Sequence, residues 1–213
     1  MSGRLRILIV DDHPIVRHGL KQTLGDAHEI GEIGEAATPQ EALDLVRQRA
    51  WDAVILDIGL PGRGGLDVLK EIKQEVPRLP VLILSMHTED QYAVRAVRAG
   101  AAGYLTKGAA MDHLVAAIRK VVSGGRYISA ELAERLATEL TADAARPLHE
   151  LLSDREFEVF RLIAAEQTVG EIAERLSLSV KTISTYRARI LEKMQLKNNA
   201  ELMQYALTNR LQD

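Results

Sequence analysis

Ala53-Val54-Ile55-Leu56-Asp57, followed by Gly59-Leu60-Pro61-Gly62, is the stretch that decides the fold. A short apolar run closed by glycine and proline reads as a buried strand, because those residues refuse to continue either strand or helix. A carboxylate at the carboxyl end of such a strand sits where open α/β sheets bind their ligands. Two more runs end in polar residues: Ile7-Leu8-Ile9-Val10 passes into Asp11-Asp12, and Val81-Leu82-Ile83-Leu84 into Ser85. A weaker run, Gly103-Tyr104-Leu105, leads to Thr106-Lys107. Carboxylates, a hydroxyl and an ammonium at four strand ends describe a divalent-metal and phosphoryl site.

Helical patterns separate these runs. Pro14–Leu24, Pro39–Arg49, Gly65–Glu75, Glu89–Ala99 and Ala110–Ser123 carry apolar residues at three- and four-residue spacing, and Thr38-Pro39-Gln40-Glu41 has the form of a capping box with proline at the first helical position. Strands alternating with such helices imply βαβ units, hence a parallel sheet covered on both faces. Residues 1–125 are therefore expected to form a doubly wound, five-stranded parallel (βα)5 domain. Glu29–Glu35 is its weakest strand, with two glycines and three glutamates.

Gly124-Gly125 stops the fifth helix, Arg126–Ile128 is expected to pack locally, and Ala130–Leu140 reads as a helix leading away. Thr141–Leu148, with Ala144-Ala145-Arg146-Pro147, reads as a linker, so 126–149 is a connecting segment with a short helix. Beyond it the strand signal ends and residues 150–213 read as an all-α domain. Ser153-Asp154-Arg155-Glu156 and Thr168-Val169-Gly170-Glu171 are capping boxes, each opening a helix. After Ser177-Leu178-Ser179 a longer helix runs to about Met194, with Ile183, Tyr186, Ile190 and Leu191 inward, and a last helix covers roughly Ala200–Leu211. Helix, tight turn, helix is the DNA-binding supersecondary pattern.

The bulk numbers bound the class. The chain has 213 residues, 46% hydrophobic and 27% charged, with net charge −3, enough to bury one large core or two ordinary ones. Cysteine is absent, which excludes a disulfide framework, a thiolate nucleophile and a Cys-ligated zinc. No apolar run approaches the ~20 residues needed to cross a bilayer, and Arg4 and Arg6 flank a run too short for a signal peptide. No membrane role and a cytoplasmic setting are expected. One patch is basic: between Leu178 and Asn198, Lys181, Arg187, Arg189, Lys193 and Lys197 face a single acid, Glu192.

A carboxylate accepts a phosphoryl group when the charge developing on that group is neutralised. Magnesium does this with one or two protein carboxylates plus waters and phosphate oxygens. Asp11 and Asp12 beside Asp57 fit that need, Lys107 can pair with a phosphoryl oxygen, and Ser85 can donate to another. An inward shift of Ser85 would vacate space for an aromatic side chain, for which Tyr104 is the candidate. Taken singly, each residue has an ordinary reading: a turn acid, a turn hydroxyl, a packed tyrosine, a solvated lysine. Their order at successive strand ends decides for phosphoryl chemistry.

Asp11-Asp12, Asp57 with Leu60-Pro61-Gly62, Ser85, and Tyr104 before Lys107 resemble the receiver domain of bacterial two-component response regulators over residues 4–124. The segment from Leu152-Ser153-Asp154-Arg155-Glu156 through Glu171–Leu176 to Val180–Tyr186 resembles the LuxR-type helix-turn-helix. Together they place the chain with NarL/FixJ-type response regulators. The resemblance implies that Asp57 accepts a phosphoryl group from a sensor histidine kinase. It also implies that Asp11, Asp12, Asp57 and the Gly59 carbonyl bind Mg²⁺, and that Ser85 and Tyr104 form a switch. Double-stranded DNA would be the target, with a homodimer when phosphorylated. Lys181, Thr182, Arg187, Arg189 and Lys193 are the expected phosphate contacts, and Ser184, Thr185 and Ala188 the expected base readers. The chain departs from the family at Gly108, where many receivers have proline, and at Gly59, which has no side chain to shield Asp57. A third departure is Glu166-Gln167, where a glycine-containing turn is common; an altered turn with the fold intact is expected.

Two other functions compete. A magnesium-dependent phosphohydrolase would use the same aspartyl chemistry, yet needs a general acid and substrate pocket beside Asp57 and leaves the helical tail unexplained. A receiver whose tail binds protein or RNA would fail on every duplex fragment. The last helix, with Leu202, Tyr205, Ala206 and Leu207, offers either a dimer surface or packing on its own core.

Overall fold

Five short parallel strands carry the first unit in the computed structural model, which describes residues 4–61, 64–86, 91–141, 147–209 and 211. In chain order they are β1 (Leu5–Val10), β2 (Ile30–Ala36), β3 (Ala53–Asp57), β4 (Val81–Ser85) and β5 (Gly103–Thr106), arranged β2-β1-β3-β4-β5. Between and after them lie α1 (Pro14–Gly25), α2 (Pro39–Gln48), α3 (Gly65–Glu75), α4 (Gln91–Arg98) and α5 (Lys107–Val122). The expected fourth helix began at Glu89, which lies outside the described residues, as does Gly62. The fifth begins at Lys107 and not Ala110: Gly108-Ala109-Ala110 contains no proline to delay it, and alanine favours helix.

Strand period places alternate residues on opposite faces. Ile7, Ile9, Ala53, Ile55, Leu82, Leu84 and Leu105 bury one face against Leu20 and Leu24 of α1 and Leu114, Ala117, Ile118 and Val121 of α5. Leu8, Val10, Val54, Leu56 and Ile83, the intervening residues, are equally buried, and α2 and α3 pack on each other, α2 also on β2 and β1 and α3 on β3. The weak β2 pattern has a physical reason: β2 is an edge strand, so its glutamates remain at the surface. The opposite edge is partly closed by Tyr127, whose carbonyl accepts from the Tyr104 amide and whose amide donates to the Ala102 carbonyl. Arg126–Ile128 thus does pack locally.

The chain divides into compact units at 1–140 and 141–213, with α6 (Ala130–Thr141) closing the first. The expected linker lies largely in residues 142–146, outside the described set. In the second unit a 3₁₀ turn (Leu148–Leu151) precedes α7 (Asp154–Ala164), α8 (Val169–Arg175), α9 (Val180–Lys193) and α10 (Asn199–Thr208). Both capping boxes form: Ser153 Oγ accepts from the Glu156 amide while Glu156 accepts from the Ser153 amide, and Thr168 and Glu171 do the same. Phe157, Phe160, Ile163, Ile172, Ile183, Ile190, Met194, Leu202 and Ala206 make the core.

The last helix packs on that core. Leu202 and Ala206 are fully buried, and Tyr205 Oη lies 2.9 Å from Nδ1 of the buried His149. Leu207 alone of the four expected residues faces out, 66% exposed.

Candidate functional site

The sheet register brings the acids level. Val10 pairs with Leu56, so Asp11 and Asp57, one residue on, leave adjacent strands at the same height. Asp11 is fully buried and Asp57 almost so. Lys107, the first residue of α5, sets its Nζ between them, 2.7 Å from Asp11 Oδ2 and 3.0 Å from Asp57 Oδ2. Burial raises the Asp57 carboxyl above the ordinary aspartate range and the Asp11 charge adds to this, partly offset by Lys107 and the Gly59 amide. Burial opposes the charge on Lys107, but Asp57 and Asp11 outweigh it and its pKa rises. The site therefore holds compressed negative charge with the Lys107 ammonium fixed between Asp11 and Asp57.

Backbone geometry around Asp57 is tight. The Gly59 amide donates to Asp57 Oδ1 at 3.2 Å. A Cβ on Gly59 would lie 3.6–3.7 Å from both carboxylate oxygens, so that position looks directly onto the acceptor. A Cβ on Gly65 would fall 2.2 Å from the Asp57 carbonyl oxygen and 2.7 Å from Ile58 Cα. Gly65 lets α3 begin against the end of β3, with its amide bonded to the Ile58 carbonyl.

Asp11, Asp12, His13 and Asp57 offer ligand atoms within 4.8 Å of one another. Asp11 Oδ2 and Asp12 Oδ1 are buried; their close neighbours are the Lys107 ammonium, at 2.7 Å, and the His13 ring, at 2.9 Å. Carboxylate oxygens with unused lone pairs are the hard donors Mg²⁺ takes, and the cluster is compatible with that ion. His13 and Gly65 are site residues that the sequence reading passed over. His13 was signalled by adjacency to the acid pair, and its amide also donates to Asp11 Oδ1 at 2.8 Å. For Gly65 no local pattern distinguished a contact glycine from a helix start.

Ser85 and Tyr104 occupy the expected strands. Ser85 ends β4 in register with Thr106, and Tyr104 pairs with Ile83 two residues earlier along the strands. Both are fully buried.

On α9, Lys181, Ser184, Thr185, Ala188 and Arg189 are exposed. Thr182 Oγ1 lies 2.7 Å from the capping Ser179 Oγ. Arg187 falls four residues after the buried Ile183 and is half-buried rather than outward; its Nε donates to Asn199 Oδ1 at 2.6 Å. Lys193 Nζ meets the buried Glu156 at 2.6 Å. Burial works against the Glu156 charge, but Lys193 and the Ser153 groups prevail and hold the carboxyl below the usual glutamate range.

Residues 7–119 match the response regulator receiver domain, and residues 150–206 match the bacterial regulatory proteins of the luxR family. Response regulator UvrY of Escherichia coli strain K12 is 36% identical over 208 residues, 97% of this chain and 95% of that one. Response regulator GacA of Pseudomonas aeruginosa is 36% identical over 210 residues, 98% of each. Among solved structures, RcsB from Salmonella enterica serovar Typhimurium, bound to promoter rprA in the presence of the phosphomimetic BeF3⁻, superposes with TM-score 0.60 at 26% identity, covering 95% of this chain and 98% of that one. With a receiver match at the acid cluster, a luxR-family match on the helical unit and full-length relatives, the chain belongs to the two-component response regulators with a LuxR-type DNA-binding domain, a family of transcription regulators and not of enzymes.

Proposed function

We propose that a sensor histidine kinase phosphorylates Asp57 and that this controls dimerisation and exposure of α9, and hence transcription. The observation that carries the reading is the Lys107 ammonium between the buried Asp11 and Asp57, at 2.7 and 3.0 Å. A fixed cation at that place pairs with an oxygen of an incoming phosphoryl group. An Asp57 oxygen forms the new P–O bond as the kinase's P–N bond breaks and its imidazole leaves. Asp11, Asp12, Asp57 and the Gly59 carbonyl would hold Mg²⁺, which supplies charge neutralisation at the transferring group. Ser85 donates to a phosphoryl oxygen, and Tyr104 follows its displacement.

In this reading residues 1–125 receive the phosphoryl group, 126–149 connect, and 150–213 bind DNA in the cytoplasm. Lys181, Thr182, Arg187, Arg189 and Lys193 hold phosphates; Ser184, Thr185 and Ala188 face the bases. Arg187 and Lys193 reach a phosphate from side chains already steadied by Asn199 and Glu156. Dimerisation lets two half-sites be read together, multiplying the modest affinity of one small domain.

Selection of genome fragments by the purified chain, with and without beryllofluoride and Mg²⁺, tests this beside Asp57→Ala. Specific enrichment that rises on activation, and not in the variant, is the expected result. Equal enrichment in all samples removes Asp57 from control of DNA binding, and no enrichment in any sample overturns the DNA-binding reading.

A further inference from the structure

The outer side of α9 carries two ridges of different chemistry. Val180, Ser184 and Ala188 follow one another at four-residue spacing, as do Lys181, Thr185 and Arg189, and residues four apart line one helix ridge. All six are exposed. The second ridge carries two cations and the first carries none. Both ridge hydroxyls are engaged by their own helix: Ser184 Oγ donates to the Val180 carbonyl at 2.9 Å, and Thr185 Oγ1 to the Lys181 carbonyl at 3.0 Å. Neither is left as a donor to a base. What the first ridge offers is apolar: the Val180 isopropyl group and the Ala188 methyl, with the Thr185 γ-methyl beside them.

Val180 stands out. It opens α9, is 56% exposed, and contributes nothing to a core already filled by Ile183, Ile190 and Met194. The amino-terminal end of a recognition helix is the part that meets base edges. Guanine is read by arginine or lysine, adenine by asparagine or glutamine, and none of these lies on the Val180 ridge. The apolar feature of the major groove is the thymine 5-methyl group.

We propose that the Val180–Ser184–Ala188 ridge reads thymine methyls, so that the operator half-site carries thymine against it, with Val180 a specificity-determining residue. This rests on the DNA-binding reading above and names the chemistry of its target. Flanking Lys181 and Arg189 supply charge complementarity to the phosphates on either side of the read bases.

The full chain, activated with beryllofluoride and Mg²⁺, is used to select a duplex from a random pool. Each thymine of that duplex is then replaced by deoxyuridine, which lacks only the methyl group, and Kd is measured at fixed salt. Affinity is expected to fall about fourfold for each contacted methyl, the factor for one buried methylene-sized group. Val180→Ala is expected to bind more weakly and to be indifferent to deoxyuridine at one of those positions, while its helix content is unchanged. A selected duplex that tolerates deoxyuridine everywhere, or a methyl dependence that survives Val180→Ala, overturns the methyl reading and leaves DNA binding standing. Selection of no duplex overturns the DNA-binding reading itself, and this inference with it.

Discussion

Asp57 is buried beside a second carboxylate, and folding raises its pKa through burial first and the Asp11 charge second. A group with a raised folded pKa contributes stability that is fully present below its unfolded pKa and lost as pH rises through the folded value. At neutral pH the ionised Asp57 carboxylate therefore works against folding. Asp57→Asn is expected to stabilise the receiver by about 1 kcal/mol at pH 7, with a smaller gain near pH 4, as read by urea unfolding at both pH values. A loss at pH 7 would mean that Lys107 pairing outweighs burial and repulsion. Gly65 gives a second test. Its Cβ would meet the Asp57 carbonyl at 2.2 Å, and backbone on both sides cannot yield cheaply. Gly65→Ala is expected to lose about 1–3 kcal/mol and to weaken beryllofluoride binding, measured by the shift in thermal midpoint on adding beryllofluoride and Mg²⁺.

The helices of the second unit end in an unusual way. Glu166, Ser177 and Gln195 have φ of 61°, 52° and 55°, the left-handed region that glycine enters at little cost. Each sits just past a helix end in a Schellman arrangement. After α7, for example, the Gln167 amide reaches the Leu162 carbonyl and the Glu166 amide reaches the Ile163 carbonyl. The turn at Glu166-Gln167 is thus the glycine turn made without glycine: the fold is intact as expected, but the altered turn expected there is not formed, because Glu166 takes the left-handed conformation itself. Glu166→Gly relieves left-handed strain but loosens the unfolded chain, and a net gain of about 0.5–1 kcal/mol is expected by chemical denaturation. The capping network gives the opposite sign. Glu156 has a depressed pKa, so its contribution is present above the ordinary glutamate range and lost as pH falls through the depressed value. Glu156→Gln is expected to lose about 1–2 kcal/mol at pH 7 and progressively less as pH falls through the depressed value, where the wild-type contribution fades.

At the scale of the whole molecule, each unit has its own core and its own chemistry. Calorimetry is expected to show two transitions, with Asp57→Asn moving one and Glu166→Gly the other. A single transition shifted equally by both would mean one cooperative body. The first unit's strands and the second unit's capping boxes were legible because each is written in consecutive residues: an unbroken apolar run closed by polar or turn residues, or a hydroxyl three places before a carboxylate. The acid cluster was legible because parallel strands deliver their carboxyl ends to one edge whatever their order. The sequence by itself therefore determined the two fold classes, the strand ends that meet, and the helix-turn-helix. Only the tertiary structure decided that Lys107 bridges two buried acids, that Gly65 must lack a side chain, and that β2 is an edge. It also decided that Arg187 and Lys193 answer to Asn199 and Glu156 before any phosphate. Those facts depend on how the chain packs in space, mostly between residues remote in sequence, and no local period encodes them.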